Sequence, residues 1–310
     1  MSSENILKYL KLYKLKFLEG TGVAIITPFK ISGEIDFKAY QLLIDYYIDN
    51  NIDYLVILGT TGESHTITFE EKNKILENVL KFNNGRVPLI IGIGGNDTQN
   101  LVDQISNYDL KNFYAILSVC PYYNKPSQIG LYEHFCKVSN VSPIPIILYD
   151  VPSRTGISIS NKTVLKLLKD CKNIIGIKDA TGDVKKGLDL IKNTSKNFHV
   201  ISGDDFTAVD LVLNGGSGVI SVAAGAFPIE FSKIITLAKE NKAQEAKERF
   251  NKIKNVIDLL FKEGNPPGIK AFLSLKGYCE NILRLPLTPV DKKLYDDIKE
   301  KIKFFGKKLS

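Results

Sequence analysis

The chain has 310 residues, of which 44% are hydrophobic and 24% charged; this is the composition of a globular protein and excludes disordered, collagen-like and coiled-coil chains. Its net charge of +7 comes with only four arginines, which indicates a lysine-rich surface and no nucleic-acid-binding patch. No apolar run approaches the roughly 18 residues of a transmembrane helix, and four cysteines without disulfide or zinc spacing are typical of a reducing cytoplasm.

Residues 1–18 alternate lysine with leucine, tyrosine and phenylalanine. They lack arginine and a small-residue cleavage site, so we expect a surface helix or strand extension here and no targeting peptide. After them come eight short apolar runs, each bounded by glycine, proline or an acidic turn. These runs are Gly22–Thr27, Tyr54–Gly59, Val87–Gly94, Tyr114–Cys120, Pro145–Asp150, Ile174–Asp179, His199–Gly203 and Gly218–Ala223.

The spacing of these runs predicts the fold. They recur every 28 residues on average, which is close to the roughly 30 residues of one strand-helix-strand unit. Both alternating faces of each run are apolar, as in parallel strands that are buried on each side. Helix starts are indicated at Asp36, at Thr68 with Glu71, and at Ser160. We therefore predict an α/β protein, a closed (β/α)8 TIM barrel; an open doubly wound sheet would normally carry a GxGxxG motif after its first strand.

The chain after the last run is too long for the single helix that closes a barrel. It contains four segments of helical pattern, at Ile229–Glu240, Ala243–Phe261, Ile269–Tyr278 and Lys292–Phe305. The expected organisation is an amino-terminal extension over 1–19, the barrel over 20–240 and a helical subdomain over 241–310.

Active sites of such barrels lie at the carboxyl ends of the strands. Lys178 follows the apolar part of the sixth run, residues 174–177. The alternation of side chains along a strand places it on one face with Gly176 and Ile174. If that face is inward, a poorly hydrated ammonium loses its proton more readily, and the free amine attacks carbonyl carbon. A strand-end lysine that pairs with Asp179 is the structural alternative.

Other polar residues follow neighbouring strands. Tyr149, Thr60 and a further tyrosine could relay protons, and the glycine-flanked turn Thr60–Thr61 could bind a carboxylate through its N–H groups and hydroxyls. Arg154 suits a bidentate grip on a second carboxylate. Each has a structural alternative: a tight turn for Thr60–Thr61, an aromatic corner for Tyr122–Tyr123 and helix capping for Arg154.

Other chemistries lack their motifs. The three histidines are scattered, and no HxH, HExxH or CxxC spacing indicates a metal site. A GxSxG elbow and a Walker loop are also absent from the sequence. We therefore expect neither metal nor cofactor.

From about Gly20 to Pro289 the chain resembles the lysine-dependent class I aldolases of the dihydrodipicolinate synthase and N-acetylneuraminate lyase superfamily, and within it the synthase branch. Six segments in the family's order and spacing carry the resemblance. They are GTTGES at 59–64, PYYNKPSQ at 121–128, ILYDVPSRTG at 147–156, GIKDATG at 176–182, SGDD at 202–205 and GVISV at 218–222.

The resemblance implies that Lys178 forms an imine with pyruvate, which tautomerises to an enamine. The enamine attacks the aldehyde of L-aspartate 4-semialdehyde, and cyclisation gives 4-hydroxy-tetrahydrodipicolinate for lysine and diaminopimelate synthesis. By matching positions, Tyr149 and Thr60 form the proton relay with Tyr123 of a neighbouring subunit. The implied assembly is a homotetramer, a dimer of dimers.

The resemblance also assigns residues to the substrates. Thr61 helps to bind the pyruvate carboxylate, and Arg154 binds the carboxylate of the semialdehyde. Gly203 and Ile220 contribute backbone carbonyls near the amine of Lys178. The alternatives are a sister aldolase that cleaves N-acetylneuraminate or 2-keto-3-deoxy sugar acids, and a catalytically inactive barrel that serves as a scaffold.

Two departures from the family pattern stand out. Asp150 replaces the usual asparagine after the relay tyrosine, which adds a potential charge beside Tyr149. Family members inhibited by L-lysine bind it with two histidines and a glutamate, and this chain has Phe69, Lys72 and Asn100 at those positions. It keeps the other matching residues of that cleft, which are Ser64, Gly94, Asn96 and Tyr122. We therefore predict weak or absent inhibition by lysine.

Overall fold

The computed structural model describes residues 15–306, in which eight parallel strands close into a barrel in chain order, β8 pairing with β1. The strands are β1 Thr21–Ala24, β2 Tyr54–Ile57, β3 Leu89–Gly92, β4 Ala115–Val119, β5 Ile146–Asp150, β6 Ile174–Asp179, β7 His199–Ser202 and β8 Gly218–Ser221. All eight lie at the predicted apolar runs, which confirms the predicted (β/α)8 barrel.

Helices follow the strands around the outside. They are α1 Phe37–Asp49, α2 Phe69–Asn83, α3 Thr98–Asn107, α4 Gln128–Val141, α5 Pro152–Thr155, α6 Asn161–Asp170, α7 Val184–Asn193, α8 Ala208–Leu213, α9 Ala223–Ala226, α10 Pro228–Lys239, α11 Ala243–Phe261, α12 Pro267–Leu275 and α13 Lys292–Gly306. The predicted N-caps are confirmed: Asp36 accepts from two N–H groups of α1, Thr68 and Glu71 form a capping box, and Ser160 accepts from Thr163. No helix in the described part of the chain is long and apolar enough to cross a membrane.

Two apolar clusters sandwich the strands. The inner one fills the barrel with residues such as Val56, Ile90 and Ile147, and the outer one packs the strands against the helices. In β6 the register against β5 skips one residue, because Ile146 pairs with Ile174 and Ile147 pairs with Gly176. The sequence-based placement of Ile174 on the face of Lys178 is therefore wrong: a bulge shifts the alternation, so that Ile175 lies in the inner cluster and Ile174 in the outer one.

The segment before β1 closes the amino-terminal end of the barrel. Residues Leu15–Glu19 form a 3₁₀ turn, in which Leu18 is fully buried in the inner cluster. The ring of Phe17 packs edge-on against those of Tyr54 and Tyr114, with centroids 5.4 Å apart in both pairs. Within the expected extension, these residues therefore belong to the barrel packing; residues 1–14 lie outside the described part.

The four predicted C-terminal helices correspond to α10–α13, with ends within three residues of the predicted ones. Helices α11, α12 and α13 pack against one another, and α12 also contacts α9 after the last strand. The loop between α11 and α12 and the start of α12 reach the carboxyl ends of the strands, where the polar residues of the candidate site lie.

Candidate active site

Lys178 lies at the carboxyl end of β6 and is only 6% exposed. It pairs in register with Tyr149 of β5, and its Nζ lies 4.4 Å from the centre of the Tyr149 ring. Tyr149 belongs to the inner cluster, so Lys178 projects into the barrel. The ammonium therefore lies against an aromatic face and largely out of water.

Gly203, directly after β7, provides the space that Lys178 occupies. A Cβ at this position would lie 2.8 Å from Cε of Lys178 and 2.9 Å from Cβ of Ala180. Cβ atoms essentially never come that close to a heavy atom to which they are not linked through the local chain. Any larger residue at position 203 therefore displaces the lysine side chain. Ile220 of β8 is 1% exposed and belongs to the inner cluster. Gly203 therefore follows β7, the strand next to that of Lys178, and Ile220 lies in β8, one strand farther.

The turn after β2 is a single 3₁₀ turn, Thr60–Gly62. Thr60 lines a small cavity together with Tyr149, His65 and Lys72, so the structure brings two members of the predicted relay together. Thr61 is 2% exposed, and its hydroxyl accepts a hydrogen bond of 2.9 Å from the amide of Asn265. The predicted carboxylate-binding turn is thus anchored by Asn265, which lies between the C-terminal helices α11 and α12.

A buried ion pair anchors the same turn. Glu63 adopts a left-handed backbone conformation (φ 53°) and accepts from Lys270 of α12, both side chains being fully buried. Nζ of Lys270 also donates to the carbonyl of Thr27 at 2.9 Å. Burial lowers the pKa of Lys270, and the charge of Glu63 opposes that shift. This pair could not be predicted from the sequence, because residues 207 positions apart share no sequence pattern.

Arg154 lies in the short helix α5 after β5 and is exposed. Its Nη2 donates to the backbone carbonyl of Asn265 at 2.9 Å. That bond uses one of the five N–H donors of a guanidinium. Asn265 therefore joins Thr61 to Arg154, the two residues predicted to bind the two substrate carboxylates. Asn265 was not among the predicted site residues, and its only signal in the sequence is its position before Pro266–Pro267.

The two tyrosines after β4 have different surroundings. The ring of Tyr122 packs edge-on against His65, with its hydroxyl 3.4 Å from Nδ1. Tyr123 is 88% exposed and has a left-handed backbone (φ 72°), which is strained for a tyrosine. The structure therefore does not bring Tyr123 to Lys178 of its own chain.

Asp150 is adjacent to Tyr149 in sequence but lies on the other face of β5. It is fully buried, pairs with Lys186 of α7 and accepts from Oγ of Ser158 at 2.7 Å. The charge expected beside Tyr149 thus faces the outer layer of the barrel and has a cation as its partner.

Among residues 15–306, no group of three or more side chains could hold a metal ion. The cysteines of that part are free thiols. Cys136 and Cys171 nevertheless lie with their sulfur atoms 3.3 Å apart, a contact that their sequence spacing does not reveal.

Comparison with known proteins gives a consistent result. The sequence profile of the dihydrodipicolinate synthetase family matches residues 17–304. A 4-hydroxy-tetrahydrodipicolinate synthase of Flavobacterium psychrophilum is 46% identical over 94% of this chain and 98% of its own length.

Solved structures agree with the sequence relatives. The crystal structure of dihydrodipicolinate synthase from Aquifex aeolicus has a TM-score of 0.90 and 39% identity, covering 93% of this chain and 98% of the other. A chloride-inhibited dihydrodipicolinate synthase from Acinetobacter baumannii, solved with pyruvate, has a TM-score of 0.89 and 38% identity over 93% of this chain and 99% of its own. The resemblance noted in six short segments thus extends over nearly the whole length, and the chain belongs to the dihydrodipicolinate synthetase family.

Proposed function

We propose that this protein condenses pyruvate with L-aspartate 4-semialdehyde through a Schiff base on Lys178, giving 4-hydroxy-tetrahydrodipicolinate. The observation that carries the proposal is the buried amine of Lys178, 4.4 Å from the ring centre of Tyr149, in a member of this family. The product lies on the route to diaminopimelate and lysine.

The reaction starts when the neutral amine of Lys178 attacks the keto carbon of pyruvate. Water leaves, and an imine forms in which the lysine nitrogen withdraws electrons from the methyl group. Loss of a methyl proton gives the enamine, whose carbon forms a new bond to the aldehyde carbon of the semialdehyde. The amino group of the semialdehyde then attacks the imine carbon, which closes the ring and releases the lysine.

Proton transfer at each step needs hydroxyl groups near the lysine. Tyr149 and Thr60, which line the same cavity, supply two of them. Tyr123 of a neighbouring subunit supplies the third, since its exposed side chain is free to enter another chain's barrel. The complete relay therefore requires an oligomer, and we propose the homotetrameric dimer of dimers.

Substrate carboxylates are bound on both sides of the lysine. The buried turn at Thr61 takes the carboxylate of pyruvate, and Arg154 takes that of the semialdehyde. Backbone carbonyls of Gly203 and Ile220 face the amine. Names of relatives such as the Flavobacterium enzyme support the synthase over a sugar-acid aldolase.

Two further proposals concern the cellular location and the domain boundaries. The first is a cytoplasmic location. The second is the division into an extension over 1–19, a barrel over 20–240 and a helical subdomain over 241–310; the gap between α10 and α11 supports its second boundary.

Borohydride reduction in the presence of pyruvate tests the proposal directly. We expect inactivation and a mass gain on Lys178, no labelling in Lys178→Ala, and wild-type labelling in Lys185→Ala, which changes an exposed lysine of α7. Product formation is then followed with aspartate semialdehyde and, separately, by cleavage of N-acetylneuraminate. A label on another lysine contradicts the mechanism, and preference for the sugar acid contradicts the substrate.

A further inference from the structure

The outer faces of β5 and β6 carry a buried cluster of charges directly behind the candidate active site. The carboxylate of Asp150 accepts from Nζ of Lys186, from Oγ of Ser158 at 2.7 Å and from the N–H of Ile159 at 3.4 Å. Nζ of Lys186 also donates to Oγ of Ser158 at 2.8 Å. One ion pair thus joins β5, the loop that follows α5, and helix α7.

The register of the two strands places this cluster next to the reacting groups. Tyr149 pairs with Lys178, and the next pair along the strands is Asp150 with Asp179. The N–H of Ala180 donates to the carbonyl of Asp150 at 2.9 Å. Consecutive strand residues face opposite sides, so the charges lie behind the strands and Lys178 lies inside the barrel. The two pairs belong to one ladder, so a shift between β5 and β6 that moves Asp150 relative to Asp179 also moves Tyr149 relative to Lys178.

The cluster holds two carboxylates and one cation. Asp150 is fully buried and Asp179 is 6% exposed, so neither charge is screened by water. Burial raises the pKa of Asp179; hydrogen bonds from Thr181 and the charge of Lys186 oppose this, and the charge of Asp150 adds to it. Cys120 is the other titratable side chain that interacts with Asp150, and burial raises the pKa of its thiol well above the usual range.

We propose that Asp150 and Lys186 are positioning residues, whose ion pair keeps the ends of β5 and β6 in the register that places Tyr149 against Lys178. Lys186 balances charge that would otherwise push the two strand ends apart. The effect on turnover rests on the proposed function, because it is exerted through Lys178. Asp150 stands where the family pattern has asparagine. An asparagine here is uncharged and would hold the strand ends without Lys186, whereas Asp150 needs the lysine to balance its charge.

The test measures the rate at which pyruvate and borohydride label Lys178, together with kcat and KM. Four proteins are compared: wild type, Lys186→Met, the double variant Lys186→Met/Asp150→Asn, and the control Lys185→Met on the exposed side of α7. We expect Lys186→Met to slow labelling and lower kcat by about tenfold or more, since small displacements of reacting groups cost that much. KM for pyruvate should change less, because Thr61 follows β2 and is held by Asn265, which precedes α12.

The double variant separates positioning from mere packing. Removing one carboxylate relieves the repulsion, so labelling should return to within about threefold of wild type. Equal rates in Lys186→Met and Lys185→Met would overturn the inference, and so would a double variant no faster than Lys186→Met. If Lys186→Met does not fold, a folded and active double variant supports the inference and an inactive one contradicts it. Failure of wild type to label Lys178 would instead contradict the proposed function.

Discussion

Lys178 owes its conformation to the absence of a side chain at position 203. A lysine has four flexible methylene groups, and a nucleophile is effective only when its nitrogen stays near the line of attack. The ring of Tyr149 and the backbone of Gly203 confine the methylene chain from two sides. Gly203 is therefore a determinant of the position of Lys178, in addition to its predicted carbonyl contact.

Gly203→Ala tests this role. The added methyl group would lie 2.8 Å from Cε of Lys178, so the lysine must move and imine formation should slow by about tenfold or more. Gly95→Ala is the matched control, because a Cβ there meets no atom within 4 Å. Stopped-flow trapping of the pyruvate imine gives the rate. An unchanged rate in Gly203→Ala would mean that the space above the lysine is not needed.

At the scale of elements, the turn after β2 depends on helix α12. Glu63 and Lys270 are both fully buried, and Asn265 precedes α12 and donates to Thr61. A buried charge that loses its partner is strongly destabilising, whereas a neutral pair costs little. The C-terminal helices are therefore part of the active-site structure.

Lys270→Met should leave the carboxylate of Glu63 buried without its cation. We expect the free energy of unfolding to fall by about 3 kcal/mol and KM for pyruvate to rise, because the same turn carries Thr61. Urea denaturation and steady-state kinetics measure the two effects. Lys262→Met, an exposed change near the end of α11, is the control. The variant Glu63→Gln/Lys270→Met should recover part of the stability; no recovery would argue against the ion pair as the cause.

The sequence predicts the elements far better than the contacts between distant ones. The spacing of the apolar runs and the capping residues are local features of the sequence. They predict the strands and the N-caps at Asp36, Thr68 and Ser160 where the structure has them. The bulge in β6 was missed because an extra residue leaves no mark in a continuous apolar run. Asn265 and Lys270 were missed because their partners in the site lie more than 100 positions away.

At the scale of the whole molecule, the exposed Tyr123 bears on the proposed oligomer, because the proposed relay takes this residue from a neighbouring subunit. Its left-handed backbone presents the ring to the surroundings, where 88% of the residue is accessible. Neighbouring Ile129 is also 71% exposed. In the proposed oligomer, a second copy of the chain would bury this tyrosine and use its hydroxyl.

Tyr123→Phe should lower kcat by roughly a hundredfold with a smaller effect on KM for pyruvate, since a relay hydroxyl acts mainly in the transition state. Mixing Tyr123→Phe with Lys178→Ala subunits should restore activity to about a quarter of wild type, because half of the dimers then hold one intact site. Native mass spectrometry verifies the mixed dimers. Verified hybrids without activity would rule out a shared site.

The predicted insensitivity to lysine also concerns the assembly. Lys72 is partly buried beside His65, and burial lowers its pKa. Phe69 stacks on Tyr108 with centroids 5.4 Å apart. When its side chain is protonated, Lys72 repels the cationic lysine ligand, and Asn100 has no charge to attract that ligand. Lysine should therefore bind on the order of a hundredfold more weakly than to family members that it inhibits.

Initial rates at saturating pyruvate across a lysine titration test the prediction. Half-inhibition well below roughly 1 mM would contradict it. The variant Lys72→His/Asn100→Glu removes the fixed cation and adds a carboxylate, so it should be more sensitive than wild type. Equal sensitivity of the two proteins would show that these positions do not control the response.

The bond between Asn265 and Thr61 has a consequence for how the protein is made. The two residues are 204 positions apart, and ribosomes add about 5–20 residues per second, so Thr61 is synthesised roughly 10 to 40 s before its anchor. Lys178 is also synthesised before Asn265, so a nascent chain that has reached the lysine still lacks the residue that anchors the turn. A chain that stops before Asn265 lacks that anchor, so we expect full catalytic competence only after translation has passed Asn265.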